Sequence, residues 1–245
     1  MADKIRIGAL ISGGGTNLQA IIDACAMGTI DAELLFTGSD KPEAGGLERA
    51  GKAGIDTFCV DYRPIIKQAK ESLDRLDVPG DFDFEEIRQK QKLLDPDASL
   101  ERVKAFLFSR AAAEKQLLDA IRPYRIDLLV LAGFMRTLTP YFIDRFHEGE
   151  NTHRIMNIHP ALLPSFPGTD GYGDTFRYGC KVGGCTVHFI DYGEDTGPII
   201  GQKAFEIKDG DTLEDVKKRG LGLEWQLYPQ CIQKFAETAG RRKIS

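Results

Sequence analysis

The chain has 245 residues, of which 42% are hydrophobic, 28% charged and 9% aromatic; 32 basic against 37 acidic side chains leave a net charge of −5. At about 150 residues per domain this length fits one to two units, and an α/β chain can fill it as one. The balance argues against wholesale disorder, collagen-like repeats and a coiled coil, and the acidic total disfavours nucleic acid or a membrane surface as a partner.

The longest apolar run, Leu128–Met135, is far shorter than the about 20 residues that cross a bilayer. Met1-Ala2-Asp3-Lys4 leads straight into strand-like sequence, with no basic and apolar leader. Five cysteines (Cys25, Cys59, Cys180, Cys185, Cys231) form no C-x-x-C spacing and read as reduced thiols, as expected of a cytoplasmic protein.

Lys4–Ile11 is predicted as a buried strand, ended by Ser12-Gly13-Gly14-Gly15. Thr16-Asn17-Leu18-Gln19 has the form of a capping box, and Leu18, Ile21, Ile22 and Cys25 follow at helical spacing up to Gly28. Glu33–Thr37 predicts a second strand, Pro42–Ala53 a helix and Thr57–Val60 a third strand. Asp127–Ala132 has the continuous apolar character of a central parallel strand. Arg154–Ile158, Cys185–Ile190 and Ile199–Ile207 read as further strands, and Thr212–Tyr228 as a helix that Pro229 ends or kinks. Strands alternating with helices predict an α/β fold: a Rossmann-like, doubly wound, mostly parallel sheet with helices on both faces. Asp61–Lys104 breaks that rhythm with dense charge, Pro64, Pro79-Gly80 and Asp95-Pro96 around helical patches such as Phe84–Leu94. It is predicted as a mainly helical surface insertion within one domain spanning residues 1–245.

Gly13-Gly14-Gly15 lies between the first strand and first helix, where backbone N–H groups and the helix dipole can hold a phosphate. Leu18 occupies the third-glycine position of the dinucleotide motif, which disfavours a dehydrogenase, and no P-loop Gly-Lys-Ser/Thr follows. From these residues alone, a phosphate cradle and a merely tight turn both remain open. Asn157-Ile158-His159-Pro160 ends a predicted strand, so Asn157 and His159 are expected to project to the same side. Asp195 lies in Gly193-Glu194-Asp195-Thr196-Gly197-Pro198, a loop leading into another strand. His188, inside an apolar strand, reads as structural, and His147 and His153 as solvated. None of the four histidines has ligand spacing with cysteine or another histidine, so no metal site is expected.

These segments carry a resemblance. Ile11-Ser12-Gly13-Gly14-Gly15-Thr16-Asn17-Leu18-Gln19-Ala20-Ile21, Ala132-Gly133-Phe134-Met135-Arg136, Asn157-Ile158-His159-Pro160-Ala161-Leu162-Leu163-Pro164 and Asp195-Thr196-Gly197-Pro198 occur in this order. Together they resemble the phosphoribosylglycinamide formyltransferase (glycinamide ribonucleotide transformylase) family. The likeness covers nearly all the chain outside Asp61–Lys104. It implies transfer of a formyl group from the cosubstrate 10-formyltetrahydrofolate to the amino group of glycinamide ribonucleotide in purine synthesis, with no metal. It places the ribonucleotide phosphate on Gly15, Thr16 and Asn17, and Glu224 against the glycinamide. It places the folate on Arg110, on Met135, Arg136, Thr137 and Leu138, and on Asn157. The catalytic set it implies is Asn157, His159 and Asp195. Amine attack builds a tetrahedral oxyanion that needs donors; Asn157 offers a neutral one, and His159 a charged one that also serves as general acid. Asp195 would raise the pKa of His159 and assist proton relay. Small molecules are the expected partners, with no nucleic acid and no membrane, in a monomer or homodimer.

Three departures stand out. Thr169-Asp170-Gly171-Tyr172-Gly173-Asp174 replaces a substrate loop that commonly carries histidine, Asp40 stands where the family often has Asn, and Gly220-Leu221-Gly222 precedes Glu224. Two rival readings remain: a 10-formyltetrahydrofolate hydrolase, which usually carries an added N-terminal regulatory domain, and a non-catalytic phosphate- or nucleotide-binding protein. A methionyl-tRNA formyltransferase would need a further C-terminal nucleic-acid-binding domain.

Overall fold

The apolar runs form the centre of a seven-stranded sheet in the order β3-β2-β1-β4-β5-β6-β7. The structure, a computed structural model, describes residues 4–146 and 153–242. The strands are β1 (Ile5–Ile11), β2 (Ala32–Ser39), β3 (Asp56–Cys59), β4 (Leu128–Leu131), β5 (Ile155–His159), β6 (Val182–Phe189) and β7 (Ile199–Glu206). The helices are α1 (Thr16–Ala26), α2 (Gly45–Lys52), α3 (Tyr62–Glu71), α4 (Phe84–Lys90), α5 (Leu100–Ile121), α6 (Pro140–Ile143), α7 (Gly171–Tyr178) and α8 (Leu213–Arg242). Strands β1 to β5 pair in parallel, whereas β6 runs antiparallel to β5 and to β7. The mostly parallel α/β sheet is therefore as expected, with an antiparallel edge.

Side-chain alternation divides the core in two. Ile7, Ala9 and Ile11 of β1, with Leu128 and Val130 of β4, pack with Leu18 and Ile21 of α1 and Tyr228 and Ile232 of α8. Leu10, Leu129 and Leu131 face the other way, onto Leu107 and Leu117 of α5 and Phe142 of α6. Both faces are covered, which is why these strands read as continuous apolar runs.

Several expectations give way to packing. The capping box at Thr16 does not form. Gly15 is the N-cap, with φ 71° and no side-chain cap, and Gln19 instead donates to Asp23 Oδ1 at 2.8 Å. A Cβ at Gly15 would lie 2.7 Å from Gly46 Cα, so close approach of α2 dictates this left-handed glycine entry. Pro229 does not end the last helix, which continues to Arg242. An interior proline costs about 3 kcal/mol, but Leu227, Tyr228, Cys231 and Ile232 around it are buried in the core. At about 1.5–3 kcal/mol for each large apolar side chain, that burial outweighs the break. The Tyr228 hydroxyl also reaches Leu131 O at 3.0 Å and Met156 O at 2.9 Å, tying α8 to β4 and β5.

The 61–104 segment carries α3 and α4, and it is not confined to the surface. Tyr62, Ile65, Ile87 and Val103 are buried with Leu107, Leu117 and Phe134. Its Lys92 N–H donates to Tyr192 O at 2.9 Å, pairing with the loop before β7. His153, expected to be solvated, is half-buried and stacks on Phe189 with ring centroids 5.4 Å apart; His147 lies outside the described residues. Among the described residues, no helix is long and apolar enough to cross a membrane.

Tyr228→Phe should lower unfolding stability by about 1–3 kcal/mol, because a buried strand carbonyl loses its donor. Urea denaturation should show a lower midpoint at unchanged slope; an unchanged midpoint would mean the hydroxyl contributes nothing.

Candidate functional site

A cavity of about 440 Å³ opens beside β4 and β5, where parallel α/β sheets commonly receive ligands. It is lined by Asn17 of α1, Met135, Arg136, Thr137 and Leu138 after β4, and Asn157 and His159 of β5. Asp195, before β7, and Glu224 of α8 complete the expected residues along its wall. Gly15 and Thr16 stand beside Asn17 at the start of α1 but outside the lining, and Arg110 is also outside it.

His159 is 2% exposed. Its Nδ1 is 3.1 Å from Asp195 Oδ2, and its Nε2 donates to Phe166 O at 2.8 Å. Both neighbours are acceptors, so only the doubly protonated ring satisfies both. Burial works against that charge, but the hydrogen bond and charge of Asp195, then the Phe166 carbonyl, outweigh it and raise the pKa of His159. For Asp195, burial alone would favour the neutral acid. The rings of His159 and His188 and the Gly168 N–H, 2.9 Å from Oδ2, hold it well below the usual carboxylate range.

His188 fits its structural reading and also reaches two of the candidate site residues. It is fully buried, with Nε2 3.3 Å from Asn157 Nδ2 and 3.5 Å from Asp195 Oδ1, while Nδ1 donates to Phe189 O at 2.8 Å. Its Nε2 therefore lies between an amide donor and a carboxylate. This placement is invisible in sequence because it comes from the antiparallel register that places Asn157 opposite His188.

Glu224 is 5% exposed and lies across the cavity wall. Asn17 Nδ2 donates to its Oε2 at 2.6 Å, and the Tyr172 hydroxyl to its Oε1 at 2.6 Å. Burial raises its pKa, opposed by those two donors and by the charge of His159. Tyr172 was not singled out by the sequence, where no spacing links it to a residue on α8.

The segment after β4 is held at both ends. The Met135 N–H donates to Ser12 Oγ at 2.8 Å, and the Thr139 N–H donates to the buried Glu114 carboxyl at 2.7 Å. Burial pushes Glu114 up to about 7, against those Thr139 hydrogen bonds. Arg136 Nε donates to Asp40 Oδ2 at 2.5 Å, so the Asp40 departure supplies a buried counter-ion. Arg110 lies 5.3 Å from the Tyr62 ring centre and 5.0 Å from that of Phe106, and Arg136 lies 5.4 Å from Tyr62. An aromatic side chain of the 61–104 segment therefore underlies both arginines. Among the described residues, no three His, Cys, Asp or Glu side chains are grouped to hold a metal ion.

Residues 5–232 match the formyl transferase family. The chain is 33% identical over 224 residues to the phosphoribosylglycinamide formyltransferase of Bacillus subtilis, covering 91% of each chain. It is 32% identical over 237 residues to the trifunctional purine biosynthetic protein adenosine-3 of Gallus gallus, of which it spans 19%. In structure it is similar to glycinamide ribonucleotide transformylase 1 from Symbiobacterium toebii, with a TM-score of 0.73 and 37% identity, covering 97% of this chain and 90% of that one. Matched along almost its whole length, the chain belongs to the formyl transferase family of enzymes.

Proposed function

We propose that this enzyme transfers the formyl group of 10-formyltetrahydrofolate to the amino group of glycinamide ribonucleotide, in purine synthesis. The observation that carries the reading is the buried His159–Asp195 pair facing a cavity bordered by Asn157, Glu224 and the first turn of α1. Residues 1–245 would act as one formyltransferase domain with the 61–104 insertion built into it. All five cysteines are free thiols, as a reducing cytoplasm keeps them.

The ribonucleotide phosphate would sit on the N–H groups of Gly15, Thr16 and Asn17, which have no partners within the helix at its start. Glu224 would then meet the amine end of the same substrate. The folate would lie along Met135, Arg136, Thr137 and Leu138, with its formyl carbon toward Asn157. Arg110 would contribute through the Tyr62 ring that it shares with Arg136, or would reach the folate tail after moving from that ring.

When the amine attacks, the formyl oxygen becomes an oxyanion. Asn157 Nδ2 and the imidazolium of His159 are the donors available to it. The His159 Nε2–H bonded to Phe166 O must turn or be shared to reach the substrate. The ammonium formed by attack loses a proton and the leaving folate nitrogen gains one, with His159 as acid and Asp195 keeping it charged. The formyl group passes directly from donor to acceptor, without a covalent enzyme intermediate.

Purified protein with 10-formyltetrahydrofolate should release tetrahydrofolate only when glycinamide ribonucleotide is added. Release without the ribonucleotide would identify a hydrolase, and none in either mixture a binding protein. Asp195→Asn should lower kcat by about 10²–10⁴-fold, the usual contribution of an acid–base group, with KM changing far less. The sign of its pH effect is fixed by burial. Without Asp195, burial lowers the pKa of His159, so the alkaline limb of the kcat profile moves to lower pH. Near-normal turnover with an unshifted limb removes Asp195 from the mechanism.

The same pair links stability to pH. The raised His159 pKa contributes stability that is complete below the ordinary histidine value and lost as pH rises through the folded value. The lowered Asp195 pKa contributes above the ordinary aspartate value and is lost as pH falls through the folded one. Asp195→Asn should therefore lose most stability between roughly pH 4 and 6.5, measured as the denaturation midpoint across pH. A uniform loss at every pH would show that the pair is not ionised as described.

A further inference from the structure

Tyr172 lies in the first turn of α7, is 5% exposed and lines the cavity. Its ring packs near Phe205, with centroids 6.3 Å apart, and lies directly against residue 220 of α8. A Cβ at Gly220 would come within 2.2 Å of Tyr172 Cζ and 2.4 Å of its hydroxyl oxygen. Glycine inside a helix costs about 1 kcal/mol relative to alanine, and here it makes the space that brings the hydroxyl to Glu224.

The resulting cluster is asymmetric. Glu224 receives one donor on each oxygen, Tyr172 at 2.6 Å and Asn17 at 2.6 Å. The carboxylate fixes which way the Asn17 amide points, because only the Nδ2 end can donate to it. Asn17 Oδ1 is thereby left buried without a hydrogen-bond partner. A buried acceptor of this kind is costly until a donor arrives. The remaining lone pairs of Glu224, on the cavity wall, make a site for a group rich in N–H or O–H, beside His159. A primary amine or vicinal hydroxyls have that chemistry.

We propose that Tyr172 is a positioning and specificity-determining residue: its hydroxyl, admitted by Gly220, holds Glu224 in the orientation that accepts hydrogen bonds from the amine-bearing ribonucleotide. This rests on the substrate assignment above and names a residue through which that site discriminates. Tyr172 acts through Glu224 and takes no part in proton transfer at the formyl carbon. The titratable groups that act on the carboxylate are Tyr172 on α7, His159 on β5 and Cys185 on β6, and Arg136, Asp170, Glu194, Asp195 and Lys217 also line the cavity.

Tyr172→Phe keeps the ring and deletes the contact. It should raise KM for glycinamide ribonucleotide about tenfold, the loss expected for one hydrogen bond to a charged group, while KM for the formyl donor and kcat change far less. Gly220→Ala should raise the same KM by displacing the ring, and the double variant should be no worse than the poorer single one. An activity-free measurement accompanies these: ¹³C-carboxyl NMR of Glu-labelled protein should show Glu224 titrating at higher pH in Tyr172→Phe than in the parent. An unchanged ribonucleotide KM in Tyr172→Phe overturns the proposal, as does an equal loss in kcat at constant KM. If the parent enzyme shows no ribonucleotide-dependent release of folate, the substrate assignment has failed. The carboxyl titration then decides separately whether Tyr172 holds Glu224, and an unmoved titration overturns that too.

Discussion

A histidine–aspartate pair kept almost out of water is the constraint on which the site depends. His159 and Asp195 are too buried to be stable as separate charges, and pairing alone recovers only part of the desolvation cost. Every remaining polar position around them is therefore filled by another segment. Phe166 supplies a carbonyl to His159, Gly168 an N–H to Asp195, and His188 approaches the second carboxylate oxygen. Phe166 and Asp195 each adopt φ 55° to do so. Aspartate tolerates that left-handed conformation, whereas a bulky phenylalanine is strained in it. The strain is local, and its product is a carbonyl aimed at the His159 ring.

The same ring sits between two carboxylates that their surroundings push apart. Asp195 has cationic and N–H neighbours and stays ionised; Glu224 is buried more deeply, with only neutral donors in contact, and binds its proton more readily. Groups with similar chemistry thus acquire different properties from their environments, one paired with His159 and the other lining the cavity. α8 makes this separation possible. Tyr228 anchors it to β4 and β5 about one turn from Glu224, so the helix that closes the cavity is fastened to the strands that form its floor.

The charge-dense 61–104 segment shows how far a local reading extends. Its proline breaks and helical patches were legible, and the structure places α3 and α4 there. Its burial was not, because isolated apolar residues such as Tyr62 and Ile87 become core only when β4 and α5 are placed against them. The same holds for Arg110. Its sequence position suggested a ligand contact, while the structure places it on Tyr62 and Phe106, outside the cavity lining. The capping box at Thr16 does not form, and Pro229, expected to end or kink α8, does not end it, for a related reason: local signals of a few kcal/mol yielded to contacts from distant segments.

By itself the sequence determined the strand–helix alternation, the glycine turn and the shared side of Asn157 and His159 on one strand, because each is written in neighbouring positions of the chain; Asp195 joined them only through the family resemblance. Hydrophobic period and turn chemistry act over a few residues and can be read there. Only the tertiary structure decided that His188 meets Asn157 and Asp195, that Tyr172 and Asn17 divide the oxygens of Glu224, and that Gly220 makes room for them. Those arrangements depend on antiparallel register and helix packing between residues far apart in the chain. Hydrogen bonds and burial act through distance in space, which sequence spacing does not specify.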